Sequence, residues 1–184
     1  MENAYIGVKF RTMFLGSRFG DVDSKKRIAE ISKIMSKKGL VEKKVGNISE
    51  RTNEGMVITP SGYDLGSLGE DEVVLVVGYL EKPRIVEVRG KKKPSSESIM
   101  HWMIYQEFPK VNAVVHVHPK VLDDKRMPET SKEFPYGTVE LAEEVVKTLK
   151  KSRKRVVILK NHGVVCVGKS LDDCKKLLFK KLKL

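Results

Sequence analysis

The stretch 112-NAVVHVHPK-120 places His116 and His118 one residue apart in a run of valines that reads as a buried strand. Side chains two residues apart leave an extended chain on the same face, so His116 and His118 reach toward one point while Val115 and Val117 pack the other side. That is the geometry of metal ligands, and such a pair needs a third group from elsewhere in the fold, with a further position left open if the metal is catalytic. His162 in "KNHGVV" is the candidate, because Gly163 permits a tight turn at the end of the surrounding strands. Spacing alone is equally compatible with two histidines edging a sheet and a third lining a turn.

Outward from this strand, helical and extended patterns alternate. "PSSESIMHWMIYQEF" reads as a helix starting near Ser95, and "MVIT", "EVVLVV" and "RIVEV" read as strands broken by "PSG" and "EKP" turns. Further upstream, residues 23–40 offer Asp23 or Ser24 as a helix N-cap, Ile28, Ile31 and Met35 at helical spacing, and Gly39 as a stop. The first twenty residues have no clear period. Downstream, 121–137 is an irregular, polar connection, and Thr138 caps a helix with Leu141, Val145 and Leu149 on one face. "RVVILK" and "VVCVG" are strands around the "NHG" turn, and Ser170 with Asp173 makes a capping box for a last helix. The pattern predicts an α/β layered domain whose sheet is at least partly antiparallel.

A length of 184 residues fits a single domain with a sizeable core. No apolar run is long enough to cross a bilayer and no signal-peptide order is present, so the chain reads as soluble and cytoplasmic, with no membrane partner. Cys166 and Cys174 form neither a disulfide framework nor a metal-ligand spacing. The net charge of +12 is concentrated in residues 147–184, which hold 13 Lys/Arg against two acids. Lacking interleaved aromatics beyond Phe179, this basic tract reads as the solvated face of a helix rather than as a nucleic-acid interface.

Three segments concern anions. "VGNIS" (45–49) and "TPSG" (59–62) combine small residues, hydroxyls and an amide in loops that can wrap a phosphate, although neither matches a P-loop or dinucleotide fingerprint. "PSSE" (94–97) starts a helix, where free N–H groups favour an anion near Ser95 and Ser96 and Glu97 extends from the first turn. Ordinary turn and capping chemistry also explains each, and is the more common outcome for any one such segment. His101, one helical turn after Glu97, reads as a neighbour or supporting group.

Taken in order, "VGNIS", "ITPSG", "PSSE" with a histidine four residues after the Glu, "NAVVHVHP", "PYGT" followed by "ELAEEV", and "KNHGVVCVG" resemble the class II aldolase/adducin family over roughly residues 25–182, leaving residues 1–20 outside. The resemblance implies a single domain over 1–184 with a three-layer α/β/α fold around a largely antiparallel sheet, commonly assembled as a homotetramer. It further implies that His116, His118 and His162 ligate Zn²⁺ or another divalent transition metal, that Glu97 is the catalytic acid/base, and that Asn47, Ser61, Gly62, Ser95 and Ser96 hold a substrate phosphate.

The implied activity is a metal-dependent lyase cleaving a phosphorylated ketose to dihydroxyacetone phosphate and an aldehyde. In such a reaction the metal neutralises the charge left when the carbon–carbon bond breaks, Glu97 moves a proton, and the phosphate cradle positions the reacting carbons. Two departures from the family pattern stand out. The segment 121–137 is compressed where family aldolases carry a tyrosine proton donor, a role that Tyr136 in "PYGT" does not inherit, and the chain stops soon after the last helix. The alternatives are a sugar-phosphate epimerase or dehydratase on the same metal site, or a non-catalytic adducin-like binding protein.

Overall fold

The computed structural model describes residues 9–120 and 127–184. Residues 121–126, the first six of the predicted irregular connection 121–137, lie outside them. Eight strands form one sheet: β1 (Arg11–Gly16), β2 (Asn47–Thr52), β3 (Gly55–Ile58), β4 (Val74–Leu80), β5 (Ile85–Arg89), β6 (Ala113–Val117), β7 (Val156–Leu159) and β8 (Gly163–Gly168). Their spatial order is β1-β5-β4-β3-β2-β6-β8-β7, and every pairing is antiparallel except that of β1 with β5 at one edge.

Helices cover both faces. On one side α1 (Val22–Lys37) and α4 (Leu171–Leu182) pack Ile28, Met35, Cys174 and Leu178 against Ile48, Val115, Val117 and Cys166 of the sheet. On the other, α2 (Ser98–Glu107) and α3 (Val139–Ser152) pack Ile99, Ile104, Leu141 and Val145 against Met56, Val88, Val114 and Val165. The architecture is therefore the expected three-layer α/β/α with a largely antiparallel sheet. Among the described residues no helix is long and apolar enough to cross a membrane, and both cysteines are free and buried.

Several boundaries differ from the sequence expectation, each for a local reason. The N-cap of α1 is Asp21, whose carboxylate accepts from Ser24 N–H at 3.0 Å. Asp23 and Ser24 already lie inside the first turn, where an acid is also favoured. The aperiodic first segment contributes β1, which has no alternation because it is an edge strand exposed along most of its length. "VGNIS" is no loop either: from Asn47 onward it is β2, near the middle of the sheet. Its polar residues escaped a strand pattern because Ser49 meets polar side chains of α2, accepting or donating to Tyr105 OH at 2.9 Å, rather than an apolar layer. At α4 only half of the capping box forms. Ser170 Oγ accepts from Asp173 N–H, but the Asp173 carboxylate turns to Lys169 N–H at 3.0 Å and to Arg155 at 2.6 Å.

Arg51 on β2 ties the end of α2 to the sheet. Its guanidinium donates to the carbonyls of Tyr105 at 2.6 Å, Phe108 at 3.1 Å and Val111 at 2.8 Å, and lies over the Tyr105 ring. A cation on carbonyls orphaned at a helix C-terminus is doubly favourable. Arg51→Met, which keeps the stem and removes the donors, is expected to lower the free energy of unfolding by about 2–3 kcal/mol in urea titrations.

Candidate active site

The sheet register assembles the histidines. β6 lies between β2 and β8, with Asn47 directly opposite His116 and Val117 opposite Val164. His116 is fully buried on the α2/α3 face of the sheet, opposite to Val115 and Val117. His118 follows just past the strand end, its N–H donating to Leu40 O at 2.8 Å. The β7–β8 turn carries His162, and its chain can approach closely because residue 163 is glycine: a Cβ there would stand 2.6 Å from Val117 O and 2.9 Å from the His116 ring.

The three rings turn their Nε2 atoms to one another. His116 Nε2 is 2.9 Å from His118 Nε2 and 3.2 Å from His162 Nε2. Val164 O can only accept, so at 3.1 Å it fixes the proton on His116 Nδ1 and leaves the Nε2 lone pair pointing into the cluster. Burial, reinforced by His162, holds His116 well below the usual imidazole pKa. Burial, reinforced by His116 and His162, pushes His118 down to about 3. Both rings are consequently neutral at pH 7, the form that binds metal.

Glu97 completes the cluster. Its Oε2 accepts from Asn47 Nδ2 at 2.8 Å and lies 3.2 Å from His116 Nε2, while Oε1, 3.4 Å from His162 Nε2, is buried without a hydrogen-bond partner. Lone pairs and a carboxylate facing one another across such distances call for a cation between them. Tetrahedral Zn²⁺ with bonds of about 2.0–2.1 Å separates its ligands by roughly 3.3 Å, close to the spacing seen here. The ligand atoms of His116, His118 and His162 all lie within 4.8 Å of one another. This donor set fits a divalent transition metal.

A cleft of about 970 Å³ opens above the cluster. Asn47, Ser61, Gly62, Ser95, Ser96, Glu97, His118 and His162 line it, with His116 beneath. The segments "TPSG" and "PSSE" are stitched side by side by Ser61 N–H to Lys93 O at 3.0 Å and Ser95 N–H to Thr59 O at 3.1 Å. One expectation needs correction: α2 begins at Ser98, so Ser95 and Ser96 form a turn before it rather than its first residues. Glu97 is the N-cap residue, yet its side chain makes no cap bond because it is engaged by Asn47 and faces the histidines. Tyr136 also lines the cleft, its ring centroid 6.5 Å from that of His162. Lys9, Lys44 and Glu133, which belong to no patterned segment, also line the cleft, as does Asn161, which precedes His162 in the NHG turn and has no role assigned from the sequence.

His101 stands behind the site. Its Nδ1 is 2.7 Å from Ser49 Oγ, its Nε2 is buried without a partner, and burial lowers its pKa from 6.5 to about 4 despite the opposing pull of Glu97. Below pH 6.5 the unfolded chain takes up a proton that the folded chain refuses. The stability that neutral His101 contributes is thus complete above pH 6.5 and is lost as pH falls toward 4, by up to about 3 kcal/mol. Urea midpoints measured between pH 7 and 4 should fall in the native chain and fall less in His101→Gln.

Residues 26–122 and 127–180 match the family described as Class II Aldolase and Adducin N-terminal domain. L-fuculose phosphate aldolase of Methanococcus maripaludis is 34% identical over 149 residues, covering 70% of this chain and 75% of that protein. The corresponding Methanocaldococcus jannaschii protein is 31% identical over 170 residues, covering 81% and 86%. Among solved structures, an L-fuculose 1-phosphate aldolase superposes with a TM-score of 0.75 at 26% identity, covering 89% of this chain and 83% of that one. A histidine triad beside a buried glutamate, the three-layer fold and a family match spanning most of the length lead to one conclusion: the chain belongs to the class II aldolase and adducin N-terminal domain family.

Proposed function

We propose that the protein is a class II aldolase, a lyase that cleaves a phosphorylated ketose to dihydroxyacetone phosphate and an aldehyde in the cytoplasm. The observation that carries this reading is the convergence of three imidazole Nε2 atoms and the Glu97 carboxylate at a cleft that Asn47, Ser61, Gly62, Ser95 and Ser96 also line. His116, His118 and His162 would hold Zn²⁺ or another divalent transition metal. When bound, that ion polarises a carbonyl and its neighbouring hydroxyl and offsets charge developing on their oxygens.

The chain's own residues supply the rest. Ser61, Gly62, Ser95 and Ser96, with Asn47, offer neutral donors to a phosphate and fix the distance from that phosphate to the reacting carbons. As the carbon–carbon bond breaks, the hydroxyl of the other half gives up its proton and becomes the aldehyde carbonyl, and an electron pair is left on the carbon of the dihydroxyacetone half, to which one proton must be returned. Glu97 holds the proton returned to that carbon, and Asn47, donating to Oε2, leaves Oε1 as the oxygen free to carry it. His116 Nδ1, tied to Val164 O, keeps its ring from turning during the reaction. A homotetrameric assembly, expected from the resemblance, belongs to the same proposal and is tested by light scattering.

The deciding experiment incubates metal-loaded protein with a panel of ketose 1-phosphates and follows products by NMR. Two carbon fragments, one of them dihydroxyacetone phosphate, are expected. A single product of unchanged carbon number would indicate epimerisation or loss of water instead, and binding without any turnover would indicate a non-catalytic role.

A further inference from the structure

The phosphate cradle proposed above contains no charge, and this sets an electrostatic problem. Asn47, Ser61, Gly62, Ser95 and Ser96 are all neutral, a metal on the histidines would sit beside the Glu97 carboxylate at the floor of the cleft, and a phosphate monoester brings close to two further negative charges into the same cleft. A cation on the phosphate side would offset them. Among the described residues, the lysines lining the cleft are Lys9 and Lys44. Lys44 is exposed, whereas Lys9 is half-buried, from a segment preceding the region matched by the family.

Lys9 is also held in place. Phe10, 8% exposed, anchors the next residue in the α2/α3 layer, and Arg11 N–H donates to Arg84 O at 2.9 Å, starting β1. The ammonium sits 5.2 Å from the centre of the Tyr136 ring, a cation–π arrangement that orients it without neutralising it. Tyr136 is in turn beside the cradle. The next residue, Gly137, has φ +69° and packs so tightly on Ser96 that a Cβ would lie 2.8 Å from Ser96 O. Glu133, the other acid lining the cleft among the described residues, accepts from the neutral Asn161 Nδ2 at 2.9 Å.

We infer that Lys9 is a substrate-positioning residue: its ammonium, presented on the Tyr136 ring beside Ser96, is the charge partner of the phosphate group held by the neutral cradle. The inference rests on the aldolase reading only through the phosphate cradle, and its test does not need turnover. Inorganic phosphate is titrated calorimetrically into metal-loaded native chain and into Lys9→Met, Lys9→Arg, Lys44→Met and Lys110→Met, the last removing an equal charge from an exposed site outside the cleft.

Lys9→Met, which retains the apolar stem, is expected to weaken phosphate binding about five- to tenfold and to flatten its dependence on salt. Lys9→Arg should restore both, Lys110→Met should change neither, and KM for a phosphorylated substrate should rise in Lys9→Met in parallel with the phosphate dissociation constant. Equal binding by the native chain and Lys9→Met, or a loss confined to Lys44→Met, overturns the inference while leaving the cradle standing. Absence of phosphate binding in the native chain overturns the cradle as well.

Discussion

Replacing His116 by alanine is expected to strip the protein of bound metal and to reduce aldol cleavage by at least about 10³-fold. The side chain is fully buried, its Nδ1 proton is fixed by Val164 O, and its Nε2 stands within 3.2 Å of His118, His162 and Glu97, so it is the hub of the cluster. Loss of even a group that merely orients a ligand lowers metal affinity or activity by about 10–100-fold, and loss of a ligand exceeds that. Metal content per chain by atomic spectroscopy and initial rates on the same samples provide the check. Since alanine at a buried site also leaves a cavity, His162→Ala serves beside it. That side chain is 13% exposed on a turn, and its removal should cost metal with less cost in stability. Stoichiometric metal and native rates in both variants would rule out the proposed triad.

Glu97→Gln is expected to separate metal binding from chemistry. Glutamine has the same shape, and its carbonyl can keep the bond from Asn47 Nδ2 now made to Oε2, so the histidines should retain their places and their ion. What disappears is the titratable oxygen, Oε1, next to the reacting centre. General acid/base groups contribute about 10²–10⁴-fold, and a fall of that size in kcat is expected with metal content near native. A more direct reading comes from dihydroxyacetone phosphate alone in deuterium oxide, where NMR follows exchange of the proton at the carbon that bond cleavage would expose. The native protein should catalyse this exchange and Glu97→Gln should not. Unimpaired exchange in the variant would assign the proton transfer to another group.

The two variants fail differently because they remove different things. His116→Ala removes a lone pair that the burial of the site has already made available, since desolvation keeps the imidazoles unprotonated near neutral pH. Glu97→Gln removes a proton carrier and leaves the neighbouring dipoles in place. The acid lability tied to His101 is distinct again: it arises from a neutral imidazole shut inside the fold behind the site and follows the unfolded chain's appetite for protons rather than the metal.

How much of this was legible beforehand depends on how local each signal is. The alternation in NAVVHVHP by itself determined that His116 and His118 share a face opposite to Val115 and Val117, because the strand period is a property of a few consecutive residues. Helices α3 and α4 were readable for the same reason, their apolar residues recurring at helical spacing behind Thr138 and Ser170. The order of motifs along the chain carried the family, the fold and the candidate residues. What only the tertiary structure decided is everything that depends on neighbours distant in sequence. Strand β2 is polar and central because Ser49 faces His101 and Tyr105 from another element, and β1 is a strand because β5 offers it an edge. Glu97 forgoes capping α2 because Asn47, fifty residues away, holds its carboxylate. Lys9 reaches the cleft because Phe10 is buried under helices that come much later in the chain. Periodicity records the face a residue presents, whereas the identity of what meets that face is set by sheet register and layer packing, which no short window of sequence contains.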